Sequence, residues 1–326
     1  MIRAQSSPEG PSGMEFSSSS GNPNPNPNSS STLPDFLPSK SDPAILLSEK
    51  TLRNRLNLEE FYGIDSNYFK CVQTQIKPHM RTITVEWMLD VCLEESCDPT
   101  TLPLAVSYLD RFLSVESIHC QQLQLLAAAC LFVSSKFCQN RQIPASKLVY
   151  YTDYSCTVSE LISWELLLLG RLRWDLGSPT AIDFIDHFLS LLHFNAKVLI
   201  TRVRSAAYQL AAYIATEFSV SVLPPSSIAC GCICFALADL LGSPDVTATL
   251  LHSLHAIMNT DKDILRTNVE SIFAFLTKYR RNGLSEESSS SGGEETTHSV
   301  GGSFDVQGSA PSTTPTDILD VAAALS

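Results

Sequence analysis

Positive charge is scarce in this chain. Against 34 Asp and Glu stand 22 Lys and Arg in 326 residues, for a formal net charge of −12 and a pI near 5.0. Sequence-independent binding to phosphates runs on Lys and Arg, so no nucleic-acid partner is expected. Long apolar runs are also missing. The stretches 123–135 and 228–241 are too short to span a bilayer, and the N-terminus has no basic segment followed by an apolar one. No membrane partner is expected, and the chain reads as soluble and intracellular. Catalytic signatures are absent as well: there is no HExxH, GxSxG or phosphate-binding loop, and no Cys–His arrangement with supporting context. His79, His119, His187, His193, His252 and His255 read as dispersed over helix surfaces and loops. An enzyme is therefore not expected, and neither is a cofactor. Cys230-Gly-Cys-Ile-Cys234 suggests a metal cluster, but it lies in an apolar helical stretch with no second ligand pair nearby. These cysteines read as small core residues. The ten cysteines are scattered, which suits a reducing compartment, nucleus or cytoplasm.

Strand alternation never lasts more than a few residues, so the expected class is all-α. Residues 1–42 form a Ser/Asn/Pro-rich tail with Asn-Pro repeats at 22–28, and too few apolar residues to order it. Residues 283–326 carry seven acids and neither Lys nor Arg, and read as a disordered acidic tail. Between them, 43–282 reads as helical throughout, in two units at 43–177 and 178–282. Met80, Ile83, Trp87, Met88, Val91 and Cys92 fall at helical spacing. So do Leu102, Ala105, Val106, Leu109, Phe112 and Leu113. The segment 121–137 is apolar on all sides and Ala-rich, as in a helix wrapped by others. Pro144 opens a short helix ending near Tyr151, and Thr157-Val-Ser-Glu160 reads as a capping box. In the second unit, Pro179 is expected at the first position of a helix running through Phe184 and Phe188. Further helices are expected at 196–218, 226–241, 245–257 and 261–280. The body of 226–241 echoes the wrapped helix of the first unit.

These segments, in this order, carry a resemblance. Tyr68-Phe-Lys-Cys-Val-Gln73, the Met80–Cys92 helix, Tyr108-Leu-Asp-Arg-Phe-Leu-Ser114, Leu125–Lys136, Tyr151-Thr-Asp153 and Asp183–Ser190 resemble the cyclin box, and within it the D-type cyclins of animals. Thr314-Pro-Thr-Asp-Ile-Leu-Asp-Val321 resembles the tail of the same group. The resemblance implies tandem cyclin folds, two helical bundles of about five helices each. It also implies a regulatory subunit that activates a cyclin-dependent serine/threonine kinase at the gap-one to S-phase transition. Three departures stand out. The Leu-x-Cys-x-Glu motif for docking retinoblastoma-type proteins is missing. The loop 137–144 is longer than in the family, with Gln139 where an acid is usual. The tail has no long Glu run.

The resemblance places Lys136 and Glu165 at the kinase interface, where the matching residues bond backbone groups leading into the kinase's regulatory helix. Read without it, Lys136 is a last-turn cation complementing the helix dipole, and Glu165 half of a structural ion pair. Met80, Ile83, Trp87 and Gln124 would form a groove for Arg-x-Leu peptides of substrates and kinase inhibitors; the plainer reading is a core stripe. Thr314 matches a phosphorylated Thr read by ubiquitin ligase machinery, though Thr-Pro pairs are common in low-complexity segments. A retinoblastoma-type protein is the implied substrate. The rival to kinase activation is a cyclin-fold scaffold or transcription adaptor.

Overall fold

The computed structural model describes residues 42–192, 197–242 and 245–289, and all regular structure among them is helical. The tails at 1–41 and 290–326, and with them Thr314, lie outside the described residues.

The first bundle comprises α3 (Tyr68–Cys71), α4 (Pro78–Glu94), α5 (Thr101–Val115), α6 (Leu123–Cys138), α7 (Ala145–Tyr151) and α8 (Val158–Arg171). Its centre is α6, as the all-round apolar pattern requires: every residue from Leu126 to Ser135 is buried. Each Leu or Phe buried this way contributes about 1.5–3 kcal/mol. The two buried hydroxyls cost little because they are paired. Ser134 Oγ donates to the Thr101 carbonyl at 2.6 Å and Ser135 Oγ to that of Phe132 at 3.0 Å. α8 starts at the expected capping box, with Glu160 accepting from the Thr157 amide at 2.8 Å.

The second bundle comprises α9 (Ala181–Leu191), α10 (Lys197–Thr216), the short α11 (Phe218–Ser221), α12 (Pro225–Leu241), α13 (Asp245–Met258) and α14 (Lys262–Ser289). α12 is its wrapped helix. Cys230, Cys232 and Cys234 have no exposure, as small core residues should. Gly231 sets the distance to α14: a Cβ added there would meet Ile272 Cδ1 at 2.8 Å. Gly242, at φ +63°, ends α12 in the left-handed conformation.

Three expectations need correction. Pro179 lies before α9 and not at its first position, because Thr180 and Asp183 cap the helix reciprocally and fix its start at Ala181. His187 is not on a surface but fully buried in α9. α14 runs to Ser289, past the helix end expected at 280. Extending a formed helix requires far less than starting one.

Two helices precede the first bundle in sequence, α1 (Pro43–Leu46) and α2 (Glu49–Phe61). α2 packs on the second bundle, with Leu52 in its core. Arg55 Nη1 donates to the Asp183 carbonyl at 2.8 Å, and Glu59 accepts from the Ser226 amide at 2.9 Å and its hydroxyl at 2.7 Å. Glu59 thus sits at the N-terminus of α12, where a carboxylate meets unpaired amides and the positive end of the helix dipole.

The two bundles meet at Arg81, which has no exposure. Its Nη2 is 2.8 Å from Asp110 Oδ2 and its Nε 3.2 Å from Oδ1. Nη1 donates across the joint to the carbonyls of Ala215 at 2.6 Å and Thr216 at 3.0 Å. Tyr68 Oη donates to Asp110 at 2.9 Å, and Phe218 lies beneath the guanidinium. Burial opposes the charge on Arg81, but Asp110 outweighs it and holds the pKa above its ordinary value. Apolar patterning passed over Arg81 because it is polar; only its position among inward-facing residues marks it.

Candidate functional site

α4 has two working faces. Arg81, Val85, Met88 and Cys92 point inward. One residue out of register lie Met80, Ile83 and Trp87, the stripe read from the sequence. Met80 and Trp87 are half-buried against the first core, and Ile83 is 63% exposed. The stripe is therefore neither wholly core nor a free surface: its ends are anchored and its middle is open. Trp87 Nε1 donates to the Tyr151 carbonyl at 3.2 Å, and Gln124 Oε1 accepts from Ser155 Oγ at 3.4 Å. Both side chains thus reach the α7–α8 connection from opposite helices. Asp90, one turn beyond Trp87, adds an exposed carboxylate to the same stripe, and partial burial raises its pKa. A search for apolar residues alone missed it, although 80, 83, 87 and 90 share the spacing. Such a surface suits a peptide with one cation and one or two apolar side chains.

Glu95, at the end of α4, also escaped the sequence reading. It accepts from Lys147 Nζ at 2.8 Å and Tyr151 Oη at 2.6 Å, and so fastens α7. Partial burial works against its charge, but these partners prevail and its pKa is lowered.

Lys136 and Glu165 meet each other. Nζ donates to Oε1 at 2.6 Å, with 34% and 14% of the two side chains exposed. Lys136 lies in the last turn of α6, where the helix dipole favours it, and its ammonium is 3.6 Å above the Phe132 ring centroid. Both plainer readings thus hold for the isolated chain. Leu161 and Leu168 face inward, but Ile162, Leu166 and Leu167 are exposed, and Val158 and Phe137 extend the open apolar surface. An ion pair this accessible contributes at most about 1 kcal/mol, so exchanging it for new partners costs little. The following loop is held in place, with Gln139 Nε2 donating to Thr101 Oγ1 at 2.9 Å and the Ile143 amide to Ser135 Oγ at 3.3 Å.

The sequence profile of the cyclin N-terminal domain matches residues 50–177, and that of the cyclin C-terminal domain residues 179–291. G1/S-specific cyclin-D2 of Xenopus laevis is 36% identical over 290 residues, covering 87% of this chain and 95% of the relative. G1/S-specific cyclin-D1 of Danio rerio is 42% identical over 237 residues, covering 71% and 80%. The crystal structure of a viral cyclin from herpesvirus Saimiri superposes with a TM-score of 0.60 at 26% identity, over 68% of this chain and 94% of that one. With two cyclin domains in tandem and relatives of this similarity along most of its length, the chain belongs to the D-type branch of the cyclin family, whose members regulate kinases without catalysing a reaction themselves.

Proposed function

We propose that this chain binds a cyclin-dependent serine/threonine kinase and activates it for the passage from the first gap phase into S phase. The observation that supports this is the Lys136–Glu165 pair set in an open apolar surface on α6 and α8. Val158, Ile162 and Leu166 form the apolar stripe on which a kinase helix packs. Lys136 then donates to, and Glu165 accepts from, backbone groups of the segment leading into that helix, and charge makes these bonds strong and directional. An active kinase needs the Glu of this helix paired with the Lys at its ATP site. A preformed surface that binds only the inward position shifts the kinase to that state.

In the same reading, Met80, Ile83, Trp87 and Gln124 dock Arg-x-Leu segments of substrates and kinase inhibitors, and Asp90 meets the arginine. A retinoblastoma-type protein is the substrate, reached through this groove because Leu-x-Cys-x-Glu is missing. Thr314 is phosphorylated and read by a ubiquitin ligase, and the protein divides between nucleus and cytoplasm.

The test is co-purification with a panel of cyclin-dependent kinases, followed by phosphorylation of a retinoblastoma-type tail. The double variant Lys136→Glu, Glu165→Ala should lose about 2–5 kcal/mol of kinase binding while keeping its helical circular dichroism. Wild-type recovery of kinase by this variant would overturn the assignment.

A further inference from the structure

The end of α4 brings two cysteines together. Ser96 adopts the left-handed conformation at φ +49°. The Ser96 amide then donates to the Leu93 carbonyl at 3.1 Å and the Cys97 amide to the Cys92 carbonyl at 2.9 Å. This is a Schellman termination, in which the residue two beyond the cap closes back on the third residue from the helix end, and their side chains meet. Usually that contact is apolar; here both members are thiols. Standard covalent lengths on either side of the 2.9 Å bond limit the two Cα atoms to a separation of about 6.8 Å, within the span of a disulfide.

We propose that Cys92 and Cys97 form a reversible dithiol–disulfide pair oxidised by hydrogen peroxide. The two residues are unequal. Cys92 is buried, and Cys97 is partly open to solvent. The facing Cys97 thiol raises the Cys92 pKa, with burial adding to it, and the Cys92 thiol lowers that of Cys97, with Gln139 assisting and burial opposing. Cys97 is thus the nucleophile and Cys92 the resolving thiol. The Cys97 thiolate attacks one peroxide oxygen, the O–O bond breaks, and the departing hydroxide takes a proton as water. The Cys92 sulfur then attacks the Cys97 sulfenic acid, forming the S–S bond and releasing a second water. Two thiols are oxidised by two electrons and one peroxide is reduced. α4 need not unwind, because the termination already holds the residues together. The same turn carries Glu95, which fastens α7, and Gln139 lies three residues beyond Lys136. Oxidation therefore reaches the frame of both proposed surfaces.

Thr82 to Arg111 is a single tryptic peptide containing these two cysteines and no others. The reduced full-length chain is exposed to limiting peroxide, alkylated, digested and weighed. The expected result is an unalkylated peptide two hydrogens lighter, restored by dithiothreitol, appearing before the exposed Cys71 and Cys120 are oxidised. In Cys92→Ser, dimedone should label Cys97; Cys97→Ser should leave Cys92 alkylated. A doubly alkylated peptide after Cys71 and Cys120 have reacted would overturn the proposal, as would either cysteine bridged elsewhere. The measurement needs no kinase, so its outcome is independent of the activation reading.

Discussion

His187 shows how one buried side chain sets a pH response. Burial, and then the nearby Arg55 cation, lower its pKa below the ordinary 6.5. The folded chain therefore keeps a neutral imidazole where the unfolded chain takes up a proton. That contribution to stability is complete above pH ~6.5 and is lost as pH falls below it. Thermal midpoints measured between pH 7.5 and 5.5 should fall for the wild type and fall less for His187→Phe. Equal slopes would remove His187 from the account. Glu59 has the opposite sign. Burial raises its pKa despite the bonds from Ser226, so its contribution is present below the usual carboxylate range and lost as pH rises through the folded value.

At the scale of one element, α4 carries the most information. Replacing Met80, Ile83 and Trp87 together by Ala should weaken binding of an Arg-x-Leu peptide at least tenfold, while kinase binding changes by less than twofold. Titration calorimetry with a peptide and with the kinase separates the two effects. Kinase binding lost in step with thermal stability would make the stripe structural. α4 also shows what was legible in the sequence. Its helical character follows from apolar spacing, which by itself reads the Met80, Ile83 and Trp87 stripe as core, and the all-round apolarity of 121–137 and 226–241 identifies the two wrapped helices. What spacing could not supply was a polar residue on the inward face. Arg81 is buried because Asp110 and two carbonyls from a distant segment receive it, and no local pattern encodes a partner more than 130 residues away. Lys136 as a last-turn cation and Glu165 as half of an ion pair follow from the residues alone, whereas the interface reading of both comes only from family resemblance. Their direct pairing, and the exposure of Ile162 and Leu166 beside them, are tertiary facts.

For the whole molecule, the joint at Arg81 decides whether the two bundles unfold together. Arg81→Met would leave Asp110 buried without its cation, at a cost of about 3–5 kcal/mol. Calorimetry should show one transition in the wild type and two in the variant; a single unshifted transition in the variant would make the joint incidental. Regulation at this scale is proposed to lie in the acidic tail. Phosphate on Thr314 adds nearly two negative charges to a segment that has neither Lys nor Arg, leaving it free for a reader with an arginine cluster. Thr314→Ala should lengthen half-life in a cycloheximide chase and raise the nuclear fraction; unchanged decay and distribution would remove Thr314 from this role.

The docking of α2 imposes an order on synthesis. This helix leaves the ribosome before either bundle, yet the groups that receive Arg55 and Glu59 lie 128 and 167 residues further along the chain. At roughly 5–20 residues per second, the interval is on the order of ten seconds or more. Throughout it the first bundle, complete by Arg171, can close on its own core while α2 waits with Leu52 and Leu56 uncovered. A nascent chain of this protein therefore presents an uncovered amphipathic segment ahead of both bundles, available to chaperones, until the N-terminus of α12 has emerged.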